Sequence, residues 1–190
     1  MGYFPLFHHS DQLSALIVGG GKVALRRAKA LVKAGVACDL VAPEYVPELG
    51  ELIENHGGKV MLQKFDPQLI TSAYGLLLAI TNDHLTNQII AQQGKAQGLL
   101  VNVADDPTAG NVIFGATIDR HPLTIAINNG GASPVLSRLL RQQLEQFVPQ
   151  HYGHLAKLVG AYRSQVKQAL PKESDRVAFW ESVLQGAVAE

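Results

Sequence analysis

The chain has 190 residues, 47% of them apolar and 17% charged, which is enough to bury a core without disulfides or metals. Sixteen basic residues balance sixteen acidic ones, so no net field draws the chain to nucleic acid or to an anionic membrane, and any cationic site has to be local. The single cysteine, Cys38, excludes an intramolecular disulfide, and no apolar run reaches the length of a membrane-spanning helix. With no charged-then-apolar leader at the N-terminus, the composition predicts a soluble, cytoplasmic protein.

Residues 15–19 (A-L-I-V-G) form a short apolar run of buried-strand type that ends in a glycine turn. Residues 23–34 then carry helical periodicity as far as Gly35. This strand–turn–helix context is the one a dinucleotide fingerprint needs, with Gly19, Gly21 and Ala24 at the G-x-G-x-x-A positions. Gly19 permits the tight turn, Gly21 leaves the pyrophosphate unobstructed, and Ala24 lets helix and strand pack closely. The helix N-terminus then offers N–H groups to the phosphates.

A second strand is expected at residues 36–42, a short helix at 48–55, a weaker strand at 59–65 and a buried strand at 75–80. Thr81-Asn82-Asp83 is a helix-start signal for residues 84–97, and 99–103 reads as another strand. Strands alternating with helices predict an α/β fold with a parallel sheet covered on both faces. Beyond Asp105-Asp106-Pro107 the pattern changes. Residues 114–119 and 123–128 read as a hairpin, Ser133 as N-cap and Pro134 as first residue of a helix reaching Phe147, and two further helices follow at 152–170 and 174–185. The expected organisation is a Rossmann-type nucleotide domain over 1–113, a small α+β module over 114–148 and a helical C-terminal region over 149–190.

Glu44 lies about 20 residues past the glycines, where a carboxylate bonds an adenosine ribose. No Arg or Lys stands between Val36 and Glu48 to pair a 2′-phosphate, which favours NAD over NADP; the alternative for Glu44, after Pro43, is an exposed loop carboxylate. Thr81 and Asn82 end a strand where such sheets bind ligands, or they cap a helix. Asp105 and Asp106 end the next strand, where a carboxylate can take a proton while hydride leaves; their other reading is a turn starter before Pro107. The histidine pairs His8-His9 and His151/His154 read as surface residues, and no metal-ligand cluster is expected.

Several motifs occur in one order along the chain: Tyr3-Phe4-Pro5-Leu6-Phe7, Val18-Gly19-Gly20-Gly21-Lys22-Val23-Ala24 with Arg26, Ala79-Ile80-Thr81-Asn82-Asp83 with Asn87, Val101-Asn102-Val103-Ala104-Asp105-Asp106-Pro107, Asp119-Arg120, and Gly130-Gly131-Ala132-Ser133-Pro134 leading into Arg138 and Arg141. Together they resemble the precorrin-2 dehydrogenase/sirohydrochlorin ferrochelatase module of siroheme synthase. The resemblance implies NAD-dependent oxidation of precorrin-2 to sirohydrochlorin, then insertion of Fe2+, a substrate, to give siroheme. It places the family's essential aspartate on Asp105, and NAD contacts on Gly21, Lys22, Val23, Pro43, Glu44 and Thr81. It also implies a homodimer built through the segment after the nucleotide domain, which fits residues 114–147.

A substrate rich in carboxylates needs local cations. Arg120, His121, Arg138 and Arg141 are the candidates, with Asn102 at the strand edge, although Arg138 and Arg141 fit a solvated helix face equally well. The chain departs from the family pattern at Asn128-Asn129, where many relatives carry Ser or Thr, and at Val112-Ile113-Phe114-Gly115-Ala116, which lacks a usual proline. The sequence ends at Glu190, before the methyltransferase domain that siroheme synthase fusions carry, which fits either a stand-alone enzyme or a fragment. The rival readings are a dehydrogenase without the chelatase step and a non-catalytic NAD-sensing module.

Overall fold

The computed structural model describes residues 2–189, with side chains described as far as residue 186. Five parallel strands, β1 (Ser14–Val18), β2 (Ala37–Val41), β3 (Val60–Met61), β4 (Leu76–Ala79) and β5 (Leu100–Val103), lie in the order β3-β2-β1-β4-β5. The order reverses beside β1, so a crevice opens between the carboxyl ends of β1 and β4.

Helices α1 (Lys22–Lys33) and α2 (Pro47–Asn55) cover one face, where Ala15, Ile17, Leu76 and Leu78 pack with Ala24, Ala28, Leu49 and Ile53. The alternate residues Leu16, Val18, Leu77 and Ala79 turn the other way onto Ile90 and Ala91 of α3 (His84–Ala96). Burial on both faces is why β1 and β4 are apolar at successive positions instead of alternating. The one carboxylate inside β2, Asp39, accepts the Lys59 N–H and the Tyr74 hydroxyl, each at 2.7 Å. Burial and that bond push the Tyr74 hydroxyl well above the ordinary tyrosine range.

The strand expected over residues 59–65 shrinks to Val60–Met61. The Gln63 N–H turns back to the Met61 carbonyl at 2.9 Å, and Leu62 is left exposed on this edge strand, so pairing stops. The segment over residues 112–116, which lacks a proline, is tied down by backbone hydrogen bonds and an aromatic contact. Asn111 and Val112 donate to the Val101 carbonyl at 2.9 and 3.2 Å, and Phe114 lies 4.5 Å below the Arg27 guanidinium.

The chain divides after Phe114 into two compact units. In the second, β6 (Ala116–Arg120) and β7 (Leu123–Ile127) form an antiparallel hairpin, followed by α4 (Pro134–Phe147), α5 (His151–Ala169) and α6 (Glu173–Ala189). Ser133 caps α4 through Leu136 N–H. The replacement asparagines serve the preceding turn: Asn128 Oδ1 accepts Gly130 N–H, and Asn129 Nδ2 donates to the Ser133 carbonyl. Gly153 of α5 lies so close to the Arg120 and His121 carbonyls that a side chain there would collide with them.

Candidate functional site

The glycine turn sits at the reversal point of the sheet. Gly19 has φ +119°, a region that favours glycine, and a Cβ there would strike the Ile80 carbonyl. Gly20 presses against the Glu44–Tyr45 backbone, a packing role the fingerprint reading did not assign. Gly21 faces open space, with nothing within 4 Å of where its Cβ would stand. It is also the N-cap of α1 and gives no side-chain cap, so the first N–H groups of the helix point outward beside exposed Lys22 and Val23. This cradle fits a pyrophosphate. Pro43 and Glu44 are exposed at the end of β2, on the same edge of the sheet.

Thr81 and Asp105 follow the ends of the neighbouring strands β4 and β5, and one buried side chain joins them. Asn87, from the first turn of α3, donates through Nδ2 to Asp105 Oδ1 at 2.9 Å and to the Thr81 carbonyl at 3.1 Å. Its Oδ1 accepts from Thr81 N–H at 3.1 Å and Thr81 Oγ1 at 2.7 Å. The second carboxylate oxygen of Asp105 lies 3.1 Å from Nδ1 of His84, whose Nε2 in turn lies 2.9 Å from the Gln88 amide nitrogen. Led by the His84 bond, these contacts hold the exposed Asp105 carboxyl below the usual aspartate range.

Asp106 has a different task. Its Oδ1 accepts from Thr108 Oγ1 at 2.6 Å and Thr108 N–H at 3.0 Å, which makes it the turn starter before Pro107. Asp83 caps α3 through Leu85 N–H at 3.1 Å, in line with the helix-start reading of Thr81-Asn82-Asp83. The arrangement leaves the Asp105 carboxylate ionised and accessible at the carboxyl edge, able to take a proton from a bound molecule.

The remaining sequence candidates lie elsewhere. Asn102 is buried in β5, donating through Nδ2 to the Val112 carbonyl at 3.1 Å while its Oδ1 has no partner. In the second unit, Arg120 Nε donates to the Val148 carbonyl at 2.8 Å, and Arg141 pairs with Glu145 at 3.2 Å on the same helix. Arg138 is exposed on α4. Among the described residues, no cluster of three or more His, Cys, Asp or Glu could hold a metal, and no helix is long and apolar enough to cross a membrane.

A family profile described as "Putative NAD(P)-binding" matches residues 6–116, and one described as "Sirohaem synthase dimerisation region" matches residues 151–190. The siroheme synthases of Pseudomonas paraeruginosa and Pseudomonas entomophila are 41% and 42% identical to the chain over all 190 residues. The chain belongs to the family of the N-terminal module of siroheme synthase. This module spans 41% of the length of those relatives. A solved structure named SirC, precorrin-2 dehydrogenase, superposes with a TM-score of 0.76 at 25% identity, covering 93% of this chain and 86% of that one.

Two side chains of the cluster around Asp105, His84 and Gln88, escaped the sequence reading. His84 is 21 residues from Asp105, and the two meet only because β4 and β5 are neighbours in the sheet. The available signal was a histidine opening a helix directly after the Thr81-Asn82-Asp83 strand end.

Proposed function

We propose that this module oxidises precorrin-2 to sirohydrochlorin, with NAD rather than NADP as cofactor, and acts as a cytoplasmic homodimer. The single observation that carries the reading is the Asp105 carboxylate, ionised and aimed by Asn87 and His84 at the carboxyl edge of a sheet whose glycine turn is open to a dinucleotide. The name of the SirC structure and the siroheme synthase relatives support it.

Bound NAD+ supplies the hydride acceptor. Gly21, Lys22 and Val23 receive the pyrophosphate, with Gly19 shaping the turn, and Pro43 and Glu44 meet the adenosine ribose. Thr81, held by Asn87, borders the nicotinamide end of the crevice. Asp105 accepts the proton that leaves precorrin-2 with the hydride. Arg138, with Arg120 and Arg141, answers the substrate's carboxylates, while Asn102 supports the edge through Val112. The chelatase step belongs to the same proposal: Asp105 takes up pyrrole protons as Fe2+ enters sirohydrochlorin, giving siroheme.

The test is anaerobic incubation with precorrin-2 and NAD+, followed by Fe2+ or Co2+. NADH formation and then metal-dependent spectral change above the rate without protein is the expected result. NADH without faster metallation would remove the ferrochelatase half. Bound NAD+ without NADH would overturn the oxidation and favour a sensing module.

A further inference from the structure

We infer that His84 is a positioning residue for Asp105 in precorrin-2 oxidation; the inference rests on the oxidation reading above. The geometry is a relay of three side chains. The Gln88 amide nitrogen lies 2.9 Å from His84 Nε2 and donates to it, which leaves the proton of the neutral ring on Nδ1. Nδ1–H then donates to Asp105 Oδ2 at 3.1 Å. Asn87 occupies the other oxygen at 2.9 Å, so both edges of the carboxylate are anchored from α3 and its plane is set.

The charged groups around His84 are Asp83, the residue before it, and Asp105 and Asp106 from the turn after β5. Held at both oxygens, Asp105 accepts one hydrogen bond at Oδ1 and one at Oδ2 and retains lone pairs for the substrate's proton.

Steady-state NADH formation from precorrin-2 is followed for the wild type, His84→Ala and His84→Asn, with thermal unfolding measured on each. His84→Ala is expected to lower kcat about ten-fold, the equivalent of one hydrogen bond to a charged group, with KM for precorrin-2 and NAD+ unchanged. His84→Asn keeps an N–H donor near the Nδ1 position and has no titratable ring. It should restore most of kcat, which a merely structural role for the ring would not predict. Wild-type turnover with both variants matching its rate would overturn the inference alone. Absence of NADH from the wild type would overturn the oxidation reading, and the inference with it.

Discussion

Asp105 and Asp106 are adjacent, chemically identical and indistinguishable by spacing, yet their environments assign them different tasks. Asp106 is consumed by the Thr108 turn, whereas Asp105 is held by side chains from another element. Asp105→Asn should therefore lower the oxidation rate by about 10²–10⁴-fold, while NAD+ affinity by titration stays at the wild-type value. Loss of NAD+ binding in that variant would contradict the assignment. The glycines separate in the same way. Gly19→Ala puts a side chain at φ +119° against the Ile80 carbonyl and should lower the unfolding midpoint measurably. Gly21→Ala meets nothing within 4 Å, so stability should hold while NAD+ affinity falls. The fingerprint was legible in the sequence, with a turn role for Gly19 and an unobstructed approach at Gly21, but the packing of Gly20 against the Glu44–Tyr45 backbone was not. That contact depends on what the rest of the sheet brings within reach.

Among elements, the carboxyl edge formed by β4, β5 and the start of α3 concentrates the polar structure of the first unit. Asp83, Asp105 and Asp106 all sit below the usual aspartate range, led by bonds from Thr86, His84 and Thr108 respectively. A depressed folded value stabilises the fold above the unfolded aspartate range, and that contribution is lost as pH falls through the folded values. The unfolding midpoint should thus drop below about pH 4, less steeply in Asp105→Asn, as followed by circular dichroism across pH 6 to 2. In the second unit, Gly153 sets how closely α5 approaches the hairpin. Gly153→Val should cost about 1–3 kcal/mol in denaturant unfolding, through collision with the Arg120 and His121 carbonyls. These elements were largely foreseen, since the glycine, proline and capping signals fell where the helices begin. The short β3 was not, because pairing on a sheet edge depends on its neighbour.

For the whole molecule, the second unit leaves an apolar face uncovered. Val135, Leu136, Leu139 and Phe147 of α4 are 54%, 47%, 47% and 73% exposed, and no residue of that helix is buried. Such a stripe fits the proposed homodimer, and Leu139→Glu should shift the protein toward monomer in sedimentation velocity at micromolar concentration. An unchanged dimer would place the interface elsewhere. The sequence alone determined the alternation of strands and helices, the glycine fingerprint, the change of pattern after Asp105 and the family resemblance. All of these are local: a strand's apolar run, a helix's period and a turn's glycine are set within a few residues. Only the tertiary structure decided that Asn87 ties Thr81 to Asp105 and that His84 partners this carboxylate. Those outcomes follow from strand order, because residues far apart in the chain become neighbours only when β4 and β5 pair in register.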